Sequence, residues 1–158
     1  MIGAPFVTLA GPAGGPLFAA LHALCFPPGE AWQEDAMTGL LASPGTMGFL
    51  VFGAEGEESE PDGLALVRAV ADEAEILTFG LRPEARGRGL GAGLLESIIA
   101  ALREGGTQSL FLEVAVDNAP ARKLYTRRGF FEIGRRVGYY SREGERVDAL
   151  RLKLAIGR

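Results

Sequence analysis

Residues 81–116 read LRPEARGRGLGAGLLESIIAALREGGTQSLFLEVAV, and this stretch decides the fold. Leu90, Leu94, Leu95, Ile98, Ile99 and Leu102 recur at helical spacing and Gly105-Gly106 stops the run, which predicts a helix with one buried face over Leu90–Glu104. Ser109 to Val116 follows as a strand, and Ala74 to Leu81 precedes as another. The centre of the chain is therefore strand, glycine-rich loop, helix, strand.

The loop opens the helix, so the first-turn amides have no partner within it, and the glycines let a ligand approach the backbone. The helix dipole adds about half a positive charge at that end. Arg86 and Arg88 add more, which makes diphosphate a better match than a lone carboxylate. A solvated glycine-rich turn is the plainer reading of the same residues. Gly87, Gly89 and Ala92 also satisfy a relaxed dinucleotide fingerprint with Glu113 downstream. Against it, Leu81 to Ala85 separates the strand from the glycines, and no second βαβ series follows. No Gly-Lys-Ser/Thr completes a Walker loop.

Outward from this centre, Leu64–Val70 pairs with Ala74–Leu81 across a short turn at Asp72 and Glu73, and Gly48–Phe52 forms an earlier strand. Glu55 to Asp62 reads as a hairpin loop. Phe6–Ala10 is a short strand, Leu17–Cys25 a helix, and Ala31–Leu41 a second helix ended by Ser43-Pro44-Gly45. On the other side come a helix at Ala119–Arg128 and closing strands at Phe130–Tyr140 and Val147–Leu154, which turn at Arg142 to Gly144. The expected fold is α/β (α+β mixed): one mostly antiparallel mixed sheet with helices on both faces, in a single domain over residues 1–158.

Composition narrows the function classes. Hydrophobic residues at 47% and charged residues at 23% describe a globular chain with a core, not a disordered one. A net charge of −4 argues against a nucleic-acid partner, since such partners are met by a basic face. Cys25 is the one cysteine and His22 the one histidine, so no internal disulfide, zinc site or Cys-His-Asp triad is expected, and both residues read as packing. The N-terminal stretch lacks a positive region and is broken by Pro5, Pro12 and Pro16, unlike a signal peptide. Its longest apolar run, Leu17–Phe26, is too short for a membrane span of about 20 residues. A cytoplasmic protein is expected.

The R-x-x-G-x-G at Arg86 to Gly91 resembles the acyl-CoA diphosphate motif of the GNAT superfamily of acetyltransferases. Leu112-Glu113-Val114, then Asn118, Ala121, Leu124-Tyr125 and Gly129-Phe130, are similar to a second block of that superfamily, specifically its RimI-like branch acting on ribosomal-protein N termini. The likeness extends to Cys25-Phe26, Trp32 and the stretch from Gly138-Tyr139-Tyr140 to Asp148-Ala149.

The resemblance implies acetyl-CoA as cosubstrate and no metal. Backbone groups of Phe79, Gly80 and Leu81 would meet the pantetheine arm and acetyl group. Gly87, Arg88, Gly89, Leu90, Gly91 and Ala92, with Arg86, would hold the diphosphate, and Asn118 would help fix the arm. The amide of Leu81 is placed to polarise the thioester carbonyl. In this likeness Glu113 is the general base, acting through water, with partial burial raising its pKa. A structural carboxylate bonded to its neighbours is the other reading.

Tyr125 would meet the leaving thiolate. A phenol near 10 protonating a thiolate whose thiol is about 8.5 runs uphill by roughly 2 kcal/mol, so hydrogen bonding is the safer role than complete transfer. A core aromatic is the alternative there. Trp32, Tyr139 and Tyr140 remain unassigned between core and acceptor groove.

The acceptor implied is a protein N terminus, specifically the terminal alanine of a small-subunit ribosomal protein. An α-amine near 8 needs about 1.4 kcal/mol to be neutral at pH 7, against about 4.6 for a lysine near 10.4, so a modest base suffices. A lysine or small-amine acetyltransferase, and a non-catalytic acyl-CoA or dinucleotide-binding module, are the alternatives.

Overall fold

Where a run of apolar residues has both neighbours covered, both faces of its strand are buried, and Phe49 to Phe52 shows this at the centre of the molecule. The computed structural model describes residues 5–53 and 60–157. Its elements run β1 (Phe6–Ala10), α1 (Gly15–Cys25), α2 (Glu34–Ala42), β2 (Thr46–Phe52), β3 (Gly63–Val70), β4 (Glu73–Leu81), α3 (Leu90–Glu104), β5 (Ser109–Ala115), α4 (Ala119–Arg128), β6 (Phe131–Arg142) and β7 (Glu145–Ala155). The strands form one seven-stranded sheet in the order β1-β2-β3-β4-β5-β7-β6. Only β4 and β5 run parallel, because α3 returns the chain between them.

Two cores result. Leu50, Phe52, Leu64 and Leu66 bury one sheet face against Phe18, Leu21, Met37 and Leu41 of α1 and α2. Their neighbours Phe49, Val51, Ala65 and Val67 bury the other face against Leu94, Leu95, Ile98, Ile99 and Leu102 of α3, with Leu110, Leu112 and Val114 of β5. Each fully buried Leu or Ile of α3 contributes roughly 2–3 kcal/mol of transfer free energy, enough to fix the helix on the sheet. The helix ends as its glycines predict, Gly106 adopting φ +91° while the amide of Thr107 returns to the carbonyl of Leu102.

The expected mixed fold is the observed one, with shifted boundaries. α1 begins at Gly15, not Leu17, because Pro16 is accommodated in its first turn. α2 begins at Glu34, not Ala31: Pro28–Glu30 forms a single 3-10 turn, and Ala31 and Gln33 are extended, which leaves the amide of Trp32 free for a side chain. Most of the loop expected at Glu55 to Asp62 lies outside the described residues. Its last residue, Asp62, is buried; its carboxylate accepts from the Gly53 amide at 2.8 Å and from Arg82 Nη2 at 2.7 Å.

Two irregularities shape the functional end. In β4 the register against β3 steps from Leu66↔Thr78 to Val67↔Ile76, so Leu77 is an extra residue and the strand bends there. In β6, Arg136 pairs with Ala149 and Tyr140 with Val147, leaving Val137, Gly138 and Tyr139 opposite Asp148 alone. Gly138 takes φ +62° in this bulge and donates its amide to Asp148 Oδ1 at 2.8 Å.

Candidate active site

β4 and β5 pair only over Glu73–Glu75 against Ser109–Phe111, although β4 continues to Leu81 and β5 to Ala115. The two strands therefore part, and among the described residues no strand pairs with β4 beyond its bulge on the β5 side. The Arg82 amide donates to the Asp62 carbonyl at 2.9 Å, toward β3, so by strand alternation the amides of Leu81 and Phe79 point the other way, into the opening. Gly80 faces α1, where a Cβ would come within 2.8 Å of the Phe26 ring.

At the mouth of this opening α3 starts without a side-chain cap. Gly89 is its N-cap at φ +80°, and the first bond within the helix is the Gly93 amide to the Gly89 carbonyl at 3.2 Å. The amides of Leu90, Gly91 and Ala92 are thus left for a ligand. Gly87, at φ +77°, and Gly89 have open space where a Cβ would stand, which provides an anion cradle.

The arginines beside it also have contacts within the chain. Arg86 donates to the Cys25 carbonyl at 3.1 Å and to the Leu81 carbonyl at 3.3 Å, tying the loop to the end of α1. Arg88 lies 3.8 Å from Asp62. The positive field of the cradle therefore comes first from its amides. Gly91 looks into the space between β4 and α4: a Cβ there would touch Leu124, Leu81 and Phe79 at 3.4 to 3.9 Å.

Tyr125 reaches this space from α4. It is buried, edge-on to Phe79 at 5.8 Å and to Phe130 at 5.5 Å, and its hydroxyl has no hydrogen-bond partner among the described residues. Burial, with a smaller contribution from Tyr140, pushes that hydroxyl above its ordinary 10. Asn118, expected beside the cofactor arm, caps α4: its Oδ1 accepts from the Ala121 amide at 3.2 Å, which leaves its amide nitrogen free to donate to a ligand.

Glu113 projects from β5 on the face away from α3, as strand alternation predicts. It is not a lone carboxylate: Oε1 lies 2.9 Å from Arg136 Nε and 3.5 Å from Arg151 Nη1, and Arg151 also approaches Glu75 at 3.5 Å. Its Oε2 is buried with no partner among the described residues. Tyr140, half-buried, has its hydroxyl pushed up by burial and then by the Glu113 charge, and it acts in turn on Tyr125. Its ring meets that of Tyr139 at 5.0 Å and the Arg142 guanidinium at 5.1 Å, whereas Tyr139 is 54% exposed on the edge strand.

Sequence reasoning missed Arg136 and Arg151, and it left Tyr140 unassigned between core and acceptor groove. Strand alternation placed Glu113 on its face, but the β5–β7 register that sets Arg151 opposite it, with β6 intervening in sequence, had no local signal. His22 also does more than pack. It is buried between the rings of Phe26 and Trp32, at 4.2 and 5.0 Å, its Nδ1 accepts from the Trp32 amide at 3.2 Å, and its Nε2 bonds Thr78 Oγ1 at 3.0 Å. Since Nδ1 accepts, Nε2 carries the proton and donates, which ties the α1–α2 connection to the β4 bulge. Cys25 is buried, and burial pushes its thiol up to about 11.

An uncapped helix start thus stands beside splayed strands, with a buried phenol on α4 and a largely buried carboxylate on β5. The chain belongs to the acetyltransferase (GNAT) family, whose sequence model matches residues 17–130. That family uses acetyl-CoA.

The chain is 38% identical over 92 residues to the [ribosomal protein bS18]-alanine N-acetyltransferase of Escherichia coli K12, an alignment covering 58% of this chain and 62% of that protein. The Haemophilus influenzae protein of the same name is 38% identical over 95 residues, 60% of this chain and 64% of that one. The chain thus matches a little under two thirds of the length of these relatives.

The crystal structure of the E. coli ribosomal-protein-S18-alanine N-acetyltransferase superposes with TM-score 0.87 at 25% identity, over 98% of this chain and 95% of that one. Arabidopsis thaliana NAA60 in complex with acetyl-CoA shares the fold, at TM-score 0.78 and 18% identity over 96% of this chain and 98% of that one. Among the described residues no group of His, Cys, Asp and Glu could hold a metal ion, and no helix is long and apolar enough to cross a membrane.

Proposed function

We propose that the chain transfers the acetyl group of acetyl-CoA to the N-terminal α-amine of a protein, the alanine terminus of a small-subunit ribosomal protein being its acceptor. The opening between β4 and β5 carries this reading, because it joins a cradle of free amides to a buried hydroxyl and an orphaned carboxylate oxygen. The names of the relatives supply the acceptor.

In this reading the diphosphate sits on the amides of Gly89 to Ala92, and the pantetheine arm lies along Phe79 to Leu81 in place of the missing strand pairing. The Leu81 amide donates to the thioester oxygen. As charge develops there in the tetrahedral intermediate, one such donor is worth roughly a hundred- to a thousandfold in rate. Glu113 receives the proton of the arriving α-ammonium at Oε2, through water, and the neutral nitrogen attacks the carbonyl carbon. The adduct nitrogen gives its surplus proton to water, the C–S bond breaks, and the CoA sulfur leaves as thiolate. Tyr125, its hydroxyl raised by burial, keeps its proton and donates a hydrogen bond to the thiolate, which fits a stabilising role better than complete transfer.

The whole of residues 1–158 is read as one catalytic domain, acting in the cytoplasm, where acetyl-CoA and ribosomal proteins meet. The test offers acetyl-CoA with a peptide beginning in alanine and an N-blocked peptide containing lysine. Release of free thiol and acetylation of the alanine terminus alone are expected. Modification of lysine, or no turnover, would overturn the reading.

A further inference from the structure

Arg142 joins three segments beside Tyr140 in a way the chemistry above does not use. It is the last residue of β6, and its Nη1 donates to Glu30 Oε1 at 2.7 Å, joining the β6–β7 hairpin to the turn between α1 and α2. Its Nε lies 3.7 Å from Asp117 Oδ2 in the connection that leads to the Asn118 cap. Its guanidinium carbon stands 5.1 Å from the centre of the Tyr140 ring. Three connecting segments are thus gathered on one cation packed on the Tyr140 ring, on the same strand as the Arg136 that pairs with Glu113.

Both sides of this clasp are stiff. Glu143 and Gly144 take φ +50° and +85°, the two left-handed residues of a tight hairpin turn, and Pro27 and Pro28 precede Glu30. The two ends of the pair are each about one-third exposed, Arg142 at 31% and Glu30 at 32%, so the guanidinium is accessible from outside. Its carboxylate partners engage Nη1 and Nε, and Nη2 has no partner among the described residues. A fixed, charged donor with free N–H groups recognises a carbonyl oxygen, since guanidinium donates and cannot accept.

We propose that Arg142 is a specificity-determining residue that donates through Nη2 to the first main-chain carbonyl of the acceptor, and so selects the terminus of a polypeptide over a lysine side chain or a small amine. This rests on the acetyl transfer to an α-amine proposed above. A lysine side chain carries no carbonyl at that distance from its nitrogen; every peptide N terminus does.

The test compares wild type, Arg142→Gln and Arg142→Lys on an alanine-initiated peptide and on the same peptide with its first carbonyl replaced by a thioamide, a weaker acceptor. For the normal peptide, Arg142→Gln should raise the KM at least tenfold, with kcat within threefold and acetyl-CoA affinity unchanged. Arg142→Lys, which keeps a cationic donor, should recover part of the loss. The thioamide should weaken the wild type several-fold and leave Arg142→Gln unaffected, because the bond it probes is already gone. An unchanged peptide KM in Arg142→Gln, or an equal thioamide penalty in both proteins, would overturn the assignment while leaving acetyl transfer intact. A wild type that acetylates lysine and no peptide terminus would overturn both.

Discussion

Lowering the pH should loosen the link between α1 and β4 through one residue, and the size of the effect follows from its surroundings. His22 is buried, with Nδ1 accepting from Trp32 and Nε2 donating to Thr78, so a second proton finds no place without breaking the Trp32 bond. Burial lowers its pKa from 6.5 to about 4. The unfolded chain therefore binds a proton at a higher pH than the folded one. Stability contributed by neutral His22 is complete above pH 6.5, falls as the pH drops below that value, and is fully lost below about 4.

At about 1.4 kcal/mol per pH unit, the window amounts to about 3 kcal/mol, of which about 2 is gone by pH 5. That is a large share of a typical folding free energy of about 5–15 kcal/mol. Urea unfolding of wild type and His22→Gln at pH 7.5 and pH 5 isolates the effect, since every other titrating group is common to both. The variant should start less stable and lose about 2 kcal/mol less on acidification. Parallel losses in the two proteins would refute the argument, and with it the reading of His22 as a neutral tie across the site.

Other expectations concern the chemistry. Gly91→Asp places a carboxylate on the first turn of α3, against Leu124 and Leu81, and should weaken acetyl-CoA binding at least tenfold by calorimetry; unchanged affinity in a folded variant would remove the cradle assignment. Tyr125→Phe removes a hydroxyl with no described partner, so Tm should stay within a degree or two while kcat falls roughly ten- to a thousandfold; full turnover would make Tyr125 a core residue. Glu113→Gln should cost about a hundredfold in kcat/KM and alter the low-pH limb of its profile, with a deficit that shrinks as the amine becomes neutral. Because Arg136 is 58% exposed, its stability should change by about 1 kcal/mol or less, and early melting with a normal profile would make the carboxylate structural. Asn118→Ala should lose about 1 kcal/mol with the helix cap, while Asn118→Ser, which can still cap, separates that effect from any loss of acetyl-CoA affinity.

What the sequence determined by itself is what neighbours along the chain decide. The spacing of Leu90 to Leu102 made α3, the glycines at 87 and 89 supplied the backbone freedom its uncapped start requires, and alternation along β5 set Glu113 opposite to Leu112 and Val114. Each depends on periods of two or 3.6 residues and on local dihedrals, so each is legible within a short window. The tertiary structure alone decided which charges meet. Arg86 turns to Cys25, far back in the chain, Arg151 faces Glu113 through the β5–β7 register, and Arg142 reaches Glu30 across the mouth of the site. Long guanidinium side chains carry no periodic signal, and their partners are fixed only when strands from distant segments take their places in the sheet. The bulge at Leu77 and the short pairing of β4 with β5 belong to the same class, since where paired strands slip or part depends on what packs against their two faces.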